Sequence, residues 1–105
     1  MSLAIGRLSE FADRKPQKFD VDGEDVLVVR IDDEVFAVND TCTHAEVSLS
    51  EGDIVDCAIE CWLHGSAFNL RTGEPSGPPA VKPLETYIVT LSDDADPEIH
   101  LAARS

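Results

Sequence analysis

Cys42-Thr43-His44, followed after sixteen residues by Cys61-Trp62-Leu63-His64, is the stretch that decides how this chain is read. Each pair offers one thiolate and one imidazole, so together they form a set of two sulfurs and two nitrogens. A structural Zn²⁺ accepts Cys₂His₂, but its usual spacing puts the cysteines in one knuckle and the histidines in the other. Here both knuckles are mixed. That order suits a [2Fe–2S] cluster in which two Cys hold one iron and two His hold the other. Zinc in the same four ligands stays open as the alternative.

The residues around the ligands extend the pattern. Gly65-Ser66-Ala67-Phe68 continues the second pair, Asn69 to Pro75 reads as a hairpin, and Gly77-Pro78-Pro79-Ala80 follows as a proline loop. On these residues the chain resembles the Rieske-type ferredoxins over nearly its whole length. The resemblance implies an all-β, antiparallel sandwich or barrel with an inserted cluster-binding subdomain. It also implies a [2Fe–2S] cluster on Cys42, His44, Cys61 and His64, with Trp62, Gly65, Ser66, Phe68 and Pro78 around it. Many relatives have Pro where this chain has Trp62, a residue expected mainly to fill space over the cluster.

Composition sets the outer bounds. A chain of 105 residues with 43% hydrophobic side chains makes one domain with a small core, to which a bound cluster would add stability. Its 21 acidic against 8 basic residues give a net charge of −13, which argues against nucleic acid as a partner. The same acidity allows steering toward a basic protein, or simply a well-solvated surface. There is no apolar run of about 18 residues to span a membrane. The N-terminus reads as having no basic leader with an apolar segment behind it. Cys57, left without a partner, fits a reducing compartment. A cytoplasmic protein is expected, with Cys57 as a small buried strand residue.

Along the chain, Ser9-Glu10-Phe11-Ala12-Asp13 suggests a helical turn capped by Ser9. Gln17 to Val21 and Asp25 to Ile31 read as strands joined by a hairpin at Asp22-Gly23. In the second strand Val26 and Val28 face one side and Leu27, Val29 and Ile31 the other, so both faces are apolar and the strand is central. Glu34 to Asn39, Ile54 to Glu60, Leu84 to Leu91 and Glu98 to Ala102 supply further strands, and Asp93 to Pro97 a turn. Residues 1–39 and 84–105 are expected to form a β base, with residues 40–83 as the cluster-binding part. His100 reads as structural. No nucleophilic triad, phosphate loop or dinucleotide fingerprint is present, so the chain is not expected to be an enzyme by itself.

The resemblance further implies a one-electron carrier between an NAD(P)H-dependent flavoprotein reductase and a terminal non-haem iron, ring-hydroxylating oxygenase. A monomer suits a carrier that docks two partners in turn. Three other roles compete: a ferredoxin serving iron–sulfur cluster assembly proteins, a structural zinc-binding interaction module, and the small subunit of a nitrite reductase. The last often lacks the ligands that are intact here.

The ligand set also predicts redox behaviour. Two thiolates cancel the charge of an oxidised [2Fe–2S] core, so the electron enters a neutral centre rather than a dianion. The imidazole-held iron is the favoured resting place for that electron, and the resemblance implies that His44 and His64 reach the surface and mark the docking face. High-potential relatives carry a disulfide between the ligand loops and a Tyr hydroxyl near the cluster. Here those positions are Val47, Leu63 and Phe68, none of which can play the part. A midpoint near the low end of the class, about −150 mV on a range reaching about +300 mV, is therefore expected. Potentiometric titration checks it, and a value well above zero would contradict it.

Overall fold

The computed structural model describes residues 3–21, 23–41, 48–61, 67–75 and 83–103. Among them are nine strands: β1 (Leu3–Arg7), β2 (Gln17–Val21), β3 (Glu24–Ile31), β4 (Glu34–Asn39), β5 (Asp53–Val55), β6 (Ala58–Glu60), β7 (Ala67–Asn69), β8 (Tyr87–Leu91) and β9 (Glu98–Ala103). They form three antiparallel three-stranded sheets, ordered β1-β9-β8, β2-β3-β4 and β5-β6-β7. The all-β, antiparallel expectation holds.

β3 organises the molecule. Its alternating side chains serve two separate cores, because successive residues of a strand point to opposite faces. Val26 and Val28 join Val35 and Ala37 of β4 and meet Tyr87, Ile99 and Leu101 from the β1-β9-β8 sheet. Leu27 and Val29 join Phe36 and Val38 and meet Leu49, Ile59, Cys61, Phe68, Leu70 and Leu84. All four β3 residues from Val26 to Val29 are completely buried. The β2-β3-β4 sheet is thus a middle layer, and its second face carries the β5-β6-β7 sheet. Each fully buried aliphatic side chain is worth about 2 kcal/mol of transfer free energy.

Tight turns hold the register of the middle sheet. Val21 pairs with Glu24 and Ile31 with Glu34, so both loops have two residues. Gly23 takes a φ of 83° and donates its N–H to Asp20 Oδ1 at 3.0 Å. Asp22 of the expected turn lies outside the described residues. Asp32 occupies the left-handed region at φ 56°, where a short polar side chain is tolerated better than most. Its N–H is taken by Asp13 Oδ1 at 2.7 Å, and its carbonyl by Arg30 Nε at 2.7 Å.

Three local expectations are corrected. The helical turn is a single 3₁₀ turn at Leu8–Glu10, and Arg7, not Ser9, is its N-cap. Ser9 is drawn elsewhere: its hydroxyl donates to Asp96 Oδ2 at 2.6 Å and its N–H to Asp96 Oδ1 at 3.0 Å. The strand expected over residues 54–60 is a hairpin, because Asp56 turns left-handed at φ 54° and β5 folds back on β6. The strand expected from Leu84 begins at Tyr87, since the Leu84 N–H is taken by Gly73 O at 2.7 Å instead of a strand partner.

The Ser9 hydroxyl, ahead of its backbone N–H, holds the Asp96 carboxyl below its ordinary 3.8. A carboxyl lowered by folding stabilises the fold above its unfolded value, and that contribution disappears as pH falls through the folded value. Ser9→Ala is therefore expected to melt at a lower temperature than the parent at pH 7, with the gap closing as pH drops below 3.8. Thermal melts across pH check this. A gap that persists undiminished in strong acid would contradict it.

Candidate metal centre

Three segments of this chain carry the expected ligands and their cap, and the structure describes how each is anchored. The described residues on either side of 42–47 meet. Thr41 and Ser48 form an isolated antiparallel bridge, and the Leu49 N–H donates to Asp40 O at 2.7 Å. Asp40 itself is tied to the middle sheet through its N–H, which donates to Asp25 O at 2.9 Å. The Asp40 carboxylate, 2% exposed, accepts the Ser50 N–H at 2.9 Å on one oxygen and the Ser48 hydroxyl on the other.

On either side of residues 62–66, β6 and β7 pair, with Glu60 opposite Ala67. Cys61 follows β6 and is completely buried, with no disulfide. Gly52 lets β5 come close enough to support it. A Cβ on Gly52 would lie 1.9 Å from Glu60 O, a distance no side chain can occupy.

Residues 76–82 span from Pro75, bridged to Phe68, to the Leu84 anchor on Gly73. Gly73 is required twice over: its φ is 79°, and a Cβ there would lie 2.2 Å from Leu84 O. Asn69 sets up this turn by accepting the Arg71 N–H at 2.8 Å and the Thr72 N–H at 3.2 Å on its side-chain oxygen. Arg71 then reaches back to β4. It makes paired bonds of 3.0 Å to both Glu34 oxygens and lies 4.9 Å from the Phe36 ring centre. The Arg71 hydrogen bond holds the Glu34 carboxyl below its usual range. Both side chains are exposed, so the pair contributes little to stability.

These anchors converge. Leu49 after the first segment, Cys61 and Phe68 on either side of the second, and Leu84 after the third belong to one buried apolar cluster. Of the expected ligands, the structure places Cys61 in that cluster, whereas Cys42, His44 and His64 lie outside the described residues. Trp62, Gly65, Ser66 and Pro78 lie outside them too. Phe68 is fully buried against the Cys61 cluster and brings no hydroxyl to it. Among the described residues, no group of three or more His, Cys, Asp or Glu is placed to hold a metal.

Of the remaining candidates, His100 belongs to the outer sheet, whereas Cys57 packs at the edge of the Cys61 cluster. His100 Nε2 lies 2.8 Å from Glu98 Oε1 on β9, in the outer sheet. Cys57 is not in a strand, as the sequence suggested, but in the β5–β6 turn. It is half-buried, and its carbonyl accepts the Leu70 N–H at 3.0 Å. The supports the sequence reading passed over are Asp40, Gly52 and Gly73. Asp40 could have been noticed from the serines eight and ten residues downstream. The two glycines gave no local signal, because their necessity comes from backbone elsewhere in the chain.

Comparison with known proteins bears directly on this geometry. The family described as "Rieske [2Fe-2S] domain" matches residues 2–88. The ferredoxin component of biphenyl 2,3-dioxygenase from Rhodococcus jostii is 38% identical over 95 residues, covering 88% of this chain and 89% of that protein. The ferredoxin of carbazole 1,9a-dioxygenase from Nocardioides aromaticivorans superposes with a TM-score of 0.91 at 36% identity, covering 99% of both chains. A chain in a solved complex of reduced oxygenase and oxidised ferredoxin of carbazole 1,9a-dioxygenase superposes at 0.89 with 32% identity, covering 99% of this chain and 96% of that one.

Gly52→Ala tests whether β5 supports the centre. Overpacking against a backbone carbonyl costs about 1–3 kcal/mol, so a lower urea midpoint and less iron per purified chain are expected. Unchanged values for both would contradict this account of the Cys61 support.

Proposed function

The chain belongs to the Rieske [2Fe–2S] domain family, and from that membership we propose that it is a one-electron carrier supplying a terminal ring-hydroxylating oxygenase. Its cofactor is a Rieske-type [2Fe–2S] cluster. The zinc-module reading is thereby set aside. One observation carries the proposal: a dioxygenase ferredoxin component is 38% identical across 88% of this chain.

Cys42 and Cys61 would hold one iron, and His44 and His64 the other. The donor set suits the group, with two thiolates and two imidazoles on segments whose described ends meet at one apolar cluster. When bound, the cluster takes up and returns a single electron. The chain's own residues do the rest. Leu49, Phe68 and Leu84 exclude water from the thiolate side, and Phe68 withholds the hydroxyl that would raise the potential. The hairpin hydrogen bonds fix where Cys61 emerges. The imidazole side then forms the docking face, which is where an electron leaves with the shortest path.

The same proposal covers organisation and partners. Residues 1–39 and 84–105 form the base and residues 40–83 the cluster-binding part, a division supported by the separate β5-β6-β7 sheet. A flavoprotein reductase using NAD(P)H donates the electron, and the oxygenase receives it, as in the carbazole system's oxygenase–ferredoxin complex. The chain itself carries no substrate chemistry and is not an enzyme. We place it in the cytoplasm as a monomer. Among the described residues no helix is long and apolar enough to cross a membrane, and both described cysteines are free.

Anaerobic mixing of the reduced protein with an oxidised ring-hydroxylating oxygenase is expected to transfer one electron per chain. Cys57→Ser should match the parent, whereas Cys61→Ser should purify without the cluster and transfer nothing. A fully iron-loaded chain that exchanges electrons with neither a flavoprotein reductase nor an oxygenase would overturn the proposal.

A further inference from the structure

Asp40 is the only charged side chain fully buried among the described residues, and nothing in the carrier mechanism above uses it. It lies two residues before the expected ligand Cys42, at the closed neck of the first ligand segment. Both carboxylate oxygens are acceptors: one takes the Ser50 N–H at 2.9 Å, the other the Ser48 hydroxyl. Acceptance on both oxygens is the pattern of an ionised carboxylate. Ser48 and Ser50 hydroxyl oxygens are 2.7 Å apart. Since Ser48 gives its proton to Asp40, Ser50 is the donor in that contact. No cation among the described residues pairs with Asp40.

A buried carboxylate held by hydrogen bonds, with no cation paired to it among the described residues, is costly, and a neutral amide of the same shape would avoid much of that cost. The charge therefore calls for a role of its own. We propose that Asp40 is a positioning and potential-setting residue: its carboxylate clamps the neck of the first ligand segment, and its fixed negative charge lowers the reduction potential of the cluster. Shielded from water and close in sequence to a ligand, that charge opposes the arrival of an electron through a medium of low dielectric. It works in the same direction as the missing hydroxyl at Phe68. The inference rests on the cluster assignment made above.

The test is Asp40→Asn in the full chain, which keeps the shape and removes the charge: the amide oxygen can still accept the Ser50 N–H, while the amide N–H donates to the Ser48 hydroxyl, reversing that one contact. Iron per chain and the EPR line shape of the reduced protein are expected to match the parent. The midpoint is expected to rise by about a tenfold change in the reduction equilibrium, ~59 mV for one electron. A purely structural clamp would leave the midpoint where it was. If Asp40→Asn does not retain the cluster, Ser48→Ala decides. It keeps the carboxylate but removes a compensating donor, so the midpoint should fall, and an unchanged or higher one overturns the proposal. Iron-loaded parent and Asp40→Asn with equal midpoints overturn this inference alone. A parent that takes up no iron overturns it together with the cluster assignment beneath it.

Discussion

The structure depends on a single apolar cluster that closes the described ends of three loop segments at once. Leu49 follows the first segment, Cys61 and Phe68 flank the second and Leu84 follows the third, and all four pack on the Leu27–Val29 face of β3. Loops near a functional centre are hard to hold because they lack the hydrogen-bond ladder of strands. This chain holds its loops by their ends. The bridge between Thr41 and Ser48, the β6–β7 hairpin and the Leu84 anchor on Gly73 each set where a segment begins and stops. Buried hydrophobic area then locks the three ends together.

That arrangement explains why β3 is apolar on both faces. One face joins the outer β1-β9-β8 sheet and makes the fold a stable base. The other carries Cys61 and the described residues that flank the proposed ligand segments. A strand with one polar face could support either role but not both. The chain carries a net charge of −13, and among the described residues Asp40 is the one charged side chain that the structure buries, beside the Thr41–Ser48 bridge. In the proposed site the two thiolates cancel the charge of the oxidised cluster core, so a neutral centre would sit in acidic surroundings.

Much of this was legible in the sequence because it was periodic or chemically specific. The two apolar faces from Val26 to Ile31 marked a central strand, Glu34 to Asn39 read correctly as a strand, and the mixed Cys/His pairs together with the family resemblance pointed to a [2Fe–2S] cluster. What stayed hidden depended on partners distant in sequence. Ile54 to Glu60 reads as one apolar strand, yet Asp56 adopts a left-handed turn, and the next residue, Cys57, accepts the Leu70 N–H on its carbonyl. Ser9 looked like a helix cap until Asp96, 87 residues away, offered it a carboxylate. Gly52 and Gly73 are needed only because backbone carbonyls from Glu60 and Leu84 approach them.

The central claim is that two cysteines and two histidines of this chain share one [2Fe–2S] cluster. The EPR spectrum of the anaerobically purified, dithionite-reduced protein tests it most directly. The account predicts a rhombic S = ½ signal whose average g lies below that of all-cysteine clusters, accounting for one spin per chain. A silent, colourless protein that binds one zinc per chain even after cluster reconstitution would contradict it.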